Sequence, residues 1–364
     1  MKVSGYSMKI LHCADLHLDS PMETHMTHEQ AAIRNAEILK SFQRMTEYAV
    51  QEKIRLVLIA GDLFDGERVT KRTVESVLDT MCRVPQIDFL YVSGNHDGQT
   101  NAFVDQDIPE NFKRFSNQWS TLSYGDITVS GIEMTKANAI TLYEQLPEQK
   151  NRINIVMLHG QITTSSAIDH VNLNLLKDKN INYLALGHVH TYSCSQLDRG
   201  GIYCYPGCLE GRGFDECGEK GFVVLDTDTR NLEPVFVPFS SRELHRIEVD
   251  ITGQVNNAAV HQAMKKATQY ISKKDMVEFI LTGAVEISTH IAIKYLQRLV
   301  ESDFFFVKIK DKTKLALNLK DYENDISLKG EFIRLVMASE SCEEDRLQII
   351  RTGLEALMGE EITI

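Results

Sequence analysis

Lys9-Ile10-Leu11-His12-Cys13-Ala14 runs directly into Asp15-Leu16-His17, and this junction decides the fold. A short, largely apolar run bounded by polar residues reads as a buried strand. An acid and an imidazole just past its carboxyl end lie where open α/β sheets bind ligands. The same construction recurs four times. Arg55-Leu56-Val57-Leu58-Ile59-Ala60 leads into Gly61-Asp62-Leu63-Phe64-Asp65, and Ile87-Asp88-Phe89-Leu90-Tyr91-Val92 leads, after Ser93, into Gly94-Asn95-His96-Asp97. Ile153-Asn154-Ile155-Val156-Met157-Leu158 precedes His159-Gly160, and Ile181-Asn182-Tyr183-Leu184-Ala185-Leu186 precedes Gly187-His188-Val189-His190. Alternate residues of an extended chain point the same way, so Asp15 and His17 are expected to converge, as are His188 and His190. The glycines allow tight turns and close backbone approach.

Any one of these stretches arises by chance. Together they supply Asp15, His17, Asp62, Asn95, His159, His188 and His190 as metal ligands, with His96 to spare. Carboxylate, imidazole and amide oxygen suit manganese, iron or zinc better than calcium or magnesium. Two cations about 3.5–4 Å apart offset the charge that protects a phosphodiester from attack. Asp62 is the candidate to bridge them. His96 is the group left to protonate the leaving oxygen or stabilise the transition state. Asp65 and Asp97 fit supporting or turn-capping contacts behind the ligands.

Length predicts two domains, residues 1–240 and 241–364. The first alternates strands and helices, including helices over Thr27–Glu52 and Thr70–Cys82. Thr121–Ile132 and Gly201–Leu225 read as hairpins. The expected class is α/β, a sandwich of two mixed β-sheets flanked by helices. The polar stretch after Gly98, which contains Trp119, is expected to be an excursion near the site. Pro234 and Pro238 mark the break to a smaller α+β unit. That unit is expected to hold strands at 245–251, Met276–Leu281 and Phe304–Ile309, and helices over Val255–Ile271, Ser288–Val300, Glu331–Ala338 and Glu343–Met358.

No apolar run reaches the roughly 18 residues of a membrane span, and the N-terminus shows no signal-peptide core. Seven unpatterned cysteines fit a reduced, cytoplasmic setting. Cys194, Cys204, Cys208 and Cys217 lack a CxxC pair and read as thiols on a hairpin rather than a zinc site. The net charge of −12 argues against coating DNA by charge alone. Residues 241–364 hold 17 Lys+Arg against 20 Asp+Glu, leaving 22 against 31 for the first 240. Most of the excess acidity therefore lies in the domain with the metal motifs.

Ala14-Asp15-Leu16-His17-Leu18-Asp19, with the four other motifs and Tyr205-Pro206-Gly207-Cys208-Leu209-Glu210, Phe214-Asp215-Glu216 and Gly221, resembles the calcineurin-like metallophosphoesterases. More narrowly it resembles the nuclease subunit of SbcCD-type and YhaO-type DNA repair complexes. The likeness covers residues 1–240 well and the remainder in outline. It implies that Asp15, His17, Asp62 and His190 bind one metal, and Asp62, Asn95, His159 and His188 the other. It also implies manganese, hydrolysis of DNA, an SbcC or SMC-like ATPase partner, homodimerisation, and a C-terminal unit that caps the site and docks the ATPase. Leu16, where many SbcD-like nucleases carry Trp, and Cys208, where serine is common, favour the YhaO-like branch.

Lys308, Lys310, Lys312 and Lys314 alternate, and on one strand they would share a face able to track a phosphate backbone. A lysine-protected sheet edge is the plainer reading. Leu347, Ile350, Leu354 and Leu357 fit either core packing or partner docking. A phosphoesterase acting on a nucleotide, lipid headgroup or phosphoprotein is the alternative function. A scaffold with a decayed site fits poorly with a complete ligand set.

Overall fold

Ile10 and Leu11 are adjacent, fully buried and members of different cores, which is the signature of a strand covered on both faces. The computed structural model describes residues 8–22, 26–66, 69–97, 102–150, 152–227, 232–286, 291–316 and 322–357. The chain divides into two compact units, residues 1–243 and 244–364.

In the first unit, β1 (Lys9–Cys13), β2 (Ile54–Ala60), β3 (Asp88–Val92) and β4 (Phe112–Arg114) are parallel neighbours. The second sheet is built from β5 (Ser120–Tyr124), β6 (Ile127–Gly131), β7 (Ile153–His159), β10 (Tyr183–Gly187), β11 (Ser193–Gln196) and β12 (Ile202–Tyr205), in the order β11-β12-β10-β7-β6-β5. A short ribbon of β8 (Gln161–Thr163) and β9 (His170–Asn172) follows β7. β13 (Gly221–Asp226) returns antiparallel to β1 and pairs with β14 (Val235–Pro238), completing the first sheet.

Ile10, Leu56, Leu58, Leu90 and Val92 of the first sheet meet Ile155, Met157, Tyr183 and Ala185 of the second in one core. Alternate residues on the first sheet, among them Leu11, Val57, Ile59 and Phe89, pack under α1 (His28–Gln51) and α2 (Lys71–Cys82). Each fully buried side chain of this kind contributes on the order of 1.5–3 kcal/mol. Both helices begin where the sequence places them. Thr27 and Gln30 form a reciprocal capping box for α1, and Thr70 caps α2 through Thr73 N. This is the expected α/β sandwich, and it brings the carboxyl ends of β1, β2, β3, β7 and β10 together.

The second unit has a parallel sheet of β15 (Leu244–Asp250), β16 (Met276–Thr282) and β18 (Phe306–Asp311). One face is covered by α3 (Asn257–Ala267) and α4 (Ile293–Val300) through Val260, Met264, Phe279 and Leu296. β17 (Ala284–Glu286) pairs with β19 (Lys314–Ala316). α5 (Leu328–Met337) and α6 (Glu343–Leu357) pack on each other through Ile333, Ile350 and Leu354. Ile350 and Leu354 are thus core positions, while Leu357 is exposed.

Three expectations fail. Gly201–Leu225 is not a hairpin: β12 and β13 belong to different sheets, and β12 pairs antiparallel with β11 instead. Two β-rich segments with glycines between them fix no partner, because pairing here is long-range. Trp119 packs on the outer core of the second sheet, its Nε1 donating to Leu142 O at 2.8 Å, and takes no part in the site. The four lysines share no strand face. Thr313 N bonds to Asp311 Oδ1, turning the chain after β18, so Lys312 lies between strands and Lys314 belongs to β19. Lys310 is instead paired at 2.7 Å with the buried Glu278. The N-terminal part of the expected Ser288 helix lies outside the described residues; α4 itself starts at Ile293.

Candidate metal centre

The loops that follow β1 and β2 are zipped together before any ligand is placed. Asp15 N donates to Gly61 O (3.1 Å), His17 N to Asp62 O (3.0 Å), Leu18 N to Leu63 O (3.0 Å) and Asp65 N to Leu18 O (3.1 Å). Within them Asp15, His17 and Asp62 have φ of 53°, 46° and 50°. Such left-handed residues cost of order 1–3 kcal/mol each and persist only where the surroundings enforce them. Asp15 and His17 therefore converge through a left-handed turn, not through the strand alternation the sequence implied. His188 (φ 102°) is likewise off the extended path, and its side chain and that of His190 go to different clusters. Gly94 is required by proximity, since a Cβ there would lie 2.2 Å from Asp62 Oδ1.

Two groups of donors result, with Asp62 between them. His17 Nε2 and His190 Nε2 are 3.2 Å apart, and Asp15 completes a set whose ligand atoms lie within 4.8 Å of one another. On the other side, Asn95 Oδ1 is 3.0 Å from His159 Nε2 and 3.1 Å from His188 Nδ1. Asp62 Oδ2 faces both groups, 3.7 Å from His17 Nε2 and 3.4 Å from His159 Nε2. Asp15 accepts the backbone N–H of His188 at 2.9 Å, tying the first loop to the last. Asp15, His17, Asp62 and His159 are all buried.

Two of the remaining ring nitrogens are hydrogen-bonded from behind. His190 Nδ1 meets Glu216 Oε1 at 2.6 Å and His159 Nδ1 meets Ala60 O at 2.9 Å, while His17 Nδ1 faces Asp65 Oδ1 at 3.7 Å, beyond hydrogen-bond distance. A ring nitrogen against a carboxylate or carbonyl carries the proton, so the opposite nitrogen presents its lone pair. The Nε2 atoms of His17 and His190 face each other at 3.2 Å, an arrangement that a shared cation would resolve. The donor set is that of a divalent-cation site.

His96 stands apart. Its Nδ1 is 2.8 Å from Asp65 Oδ1, its backbone N donates to Asp62 Oδ1 (2.9 Å), and its side chain is 43 % exposed. Asp97 works on the backbone instead. It accepts from Leu63 N, Phe64 N and Gly94 N and so braces the two loops.

Charge and burial set the protonation states. The hydrogen bond to Asp65 raises the pKa of His96. Burial pushes His17 down to about 4. Burial also depresses His159, but its hydrogen bond and charge interaction with Asp62 more than reverse this, to about 9. Burial brings Asp15 up to about 6. Burial would raise Asp62 too, yet His159 and His17 hold it well below the usual carboxylate range.

Residues 8–192 match the calcineurin-like phosphoesterase family, a little over half of the chain. The chain belongs to the calcineurin-like phosphoesterases. It is 26 % identical over 296 residues to a Bacillus subtilis protein named Uncharacterized metallophosphoesterase YhaO, covering 76 % of this chain and 72 % of that one. It is also 26 % identical over 278 residues to the DNA double-strand break repair protein Mre11 of Aeropyrum pernix, covering 69 % and 66 %. The crystal structure of TT1561 from Thermus thermophilus overlaps 64 % of this chain and 99 % of that one, with a TM-score of 0.43 and 14 % identity. The phosphoesterase family and the His/Asp donor clusters agree on a site for divalent cations.

All seven expected ligands and His96 come to one place. Sequence reasoning gave no role to Glu216 or Arg212, which reach the site from the segment after Cys208. Arg212 Nη2 bonds to Glu216 Oε1 (2.9 Å) and Nη1 lies 3.4 Å from Asp65 Oδ2. The only sequence signal was the Phe214-Asp215-Glu216 likeness. Among the described residues the metal-competent clusters contain no cysteine. Cys194 and Cys204 face each other across β11 and β12, and Cys208 is buried beneath His190 and Glu216. No helix among the described residues is long and apolar enough to cross a membrane.

Proposed function

We propose that this chain is a two-metal phosphodiesterase that hydrolyses DNA, acting with an SbcC or SMC-like ATPase in the cytoplasm. The observation that carries the chemistry is Asp62 between two donor groups, with the half-exposed, Asp65-backed His96 beside it. Asp15, His17, Asp62 and His190 would hold one cation, and Asp62, Asn95, His159 and His188 the other. Manganese fits this donor set, and iron or zinc would also be accepted. Bound there, the pair supplies charge neutralisation at the phosphoryl oxygens and a nucleophile at neutral pH.

The chain's own residues do the rest. Asp65 holds the His96 ring by Nδ1 and so leaves Nε2 to deliver a proton to the leaving oxygen. Asp97 keeps the β2 and β3 loops in register. The preference for DNA is supported by Mre11 relatives, which match well beyond the phosphoesterase motifs. In this reading the C-terminal unit docks the ATPase, and the chain pairs with a second copy.

The test is cleavage of linear double- and single-stranded DNA with manganese, comparing wild type with His96→Ala and Asp62→Asn. Hydrolysis of bis-p-nitrophenyl phosphate is followed in parallel. DNA cleavage lost in both variants is the expected result. Ester hydrolysis with DNA untouched, even with the ATPase present, would overturn the DNA reading in favour of a nucleotide, lipid-headgroup or phosphoprotein substrate.

A further inference from the structure

Arg212 sits between Gly211 and Gly213 in the segment that carries Glu216, and it grips that glutamate twice. Its backbone N donates to Glu216 Oε2 (2.8 Å) and its Nη2 to Oε1 (2.9 Å). Its Nη1 lies 3.3 Å from Ser20 Oγ and 3.4 Å from Asp65 Oδ2. Each of the two carboxylates backs a histidine of the site: Glu216 backs His190, and Asp65 backs His96 while facing His17. One guanidinium therefore joins two carboxylate–histidine pairs that belong to loops far apart in sequence.

A cation this close to a site that collects cations is unfavourable unless anions stand between them. Here Asp65 and Glu216 offset its charge, and its Nη2 also lies 3.2 Å from His190 Nδ1. The side chain is 19 % exposed, and both terminal nitrogens already have protein partners. Arg212 is therefore poorly placed to reach a substrate phosphate and well placed to hold what does. Without it, two buried-edge carboxylates would lose their common counter-charge, and the rings they orient would lose their fixed tautomer.

We infer that Arg212 is a positioning residue, which aligns His96 and His190 together by bridging Asp65 and Glu216. The inference rests on the two-metal reading above. Lysine cannot replace it, because a point charge does not bridge two carboxylates as a planar fork does.

The test uses Arg212→Ala, Arg212→Lys and Arg212→Gln of the full chain, each checked for the wild-type thermal midpoint. In Arg212→Ala, kcat on bis-p-nitrophenyl phosphate should fall about 10–100-fold with KM little changed. Binding of manganese, read from the electron paramagnetic resonance of the free ion, should weaken by a similar factor. Millimolar guanidinium should restore part of both, Arg212→Lys should recover little, and at saturating manganese Arg212→Ala/His96→Ala should lose clearly less than the sum of the two single losses. In metal-free wild type, proton NMR should show hydrogen-bonded imidazole N–H signals for His96 and His190 that disappear together in Arg212→Ala or Arg212→Gln.

A tenfold rise in KM with kcat intact would overturn the proposal and make Arg212 a substrate contact. Fully additive losses in the double variant would overturn it as well, as would imidazole signals that persist without the guanidinium. Wild type that binds no manganese but shows the paired loss of N–H signals would remove the two-metal reading while leaving the bridge itself in place.

Discussion

The two halves of the site use the same side-chain types but are backed differently. His17 and His190 face Asp65 and Glu216, two carboxylates that are themselves tied to Arg212. His159 rests on a neutral carbonyl, Ala60 O, and shares a neutral amide oxygen, Asn95 Oδ1, with His188. Carboxylate backing makes an imidazole a stronger donor and fixes its tautomer. In the two-metal reading, the carboxylate behind His190 favours tighter binding of the cation in the His17/His190 half. The Asn95/His159/His188 half depends more on Asp62, the one anion both halves share. The difference teaches that equal numbers of ligands do not make equal sites.

The comparison breaks most completely at Asp62. Asp62→Asn keeps the shape but removes the shared anion, and the half with neutral backing suffers first. Loss of several kcal/mol of transition-state stabilisation corresponds to a rate fall of about 10³-fold or more. Hydrolysis of bis-p-nitrophenyl phosphate at saturating manganese measures it. A loss below tenfold would mean that Asp62 is not shared between two cations.

Next in size is His96→Ala. A positioned general acid contributes roughly 10²–10⁴-fold, so kcat should fall within that range. Because His96 belongs to neither donor group, manganese affinity in both halves should hold within about twofold. The result that counts against this is metal loss equal to the loss in rate, which would make His96 a ligand.

Glu216→Gln sharpens the comparison instead of breaking it. It removes the charged backing of His190 while leaving a hydrogen-bonding side chain. Loss of such a supporting contact weakens metal binding by about 10–100-fold. Calorimetric titration should show the tighter manganese step weaken while the looser one stays put. If the looser step moves instead, the assignment of the halves is reversed.

The donor residues of both halves were legible in the sequence because each motif is local: an acid, amide or imidazole directly behind a strand. The backing was not. Asp65 is within the second motif, but Glu216 and Arg212 lie more than twenty residues beyond His190, in a segment with no periodicity. The left-handed backbone of Asp15, His17 and Asp62 was also hidden. It is enforced by hydrogen bonds between two loops, and the modest left-handed preference of aspartate and histidine does not by itself single out these positions. Long-range pairing misled in the same way at Gly201–Leu225, where correct strand character gave a wrong partner. The alternating lysines failed for a local reason, the turn that Asp311 and Thr313 make after β18.

The smallest expected effect is a difference in how the halves respond to pH. A histidine must be neutral to bind metal. In the metal-free site His159 titrates at about 9, its depression by burial outweighed by Asp62, so at neutral pH it carries a proton that binding must displace. Affinity in the His159 half should then rise as pH climbs toward 9, about tenfold per unit, with one proton released. In the other half burial holds His17 at about 4 and Asp15 at about 6, so above pH 6 both are already in the form that binds. Its affinity should therefore change less between pH 6.5 and 8.5 than that of the His159 half. Manganese titrations at pH 6.5, 7.5 and 8.5, in buffers of different ionisation enthalpy, separate the two steps and count the protons. The neutral backing of His159 makes this asymmetry necessary: with a carbonyl rather than a carboxylate behind it, that ring takes its protonation state from Asp62 above all. Two parallel pH dependences would mean that the halves are alike in charge, and that Asp62 does not serve them unequally.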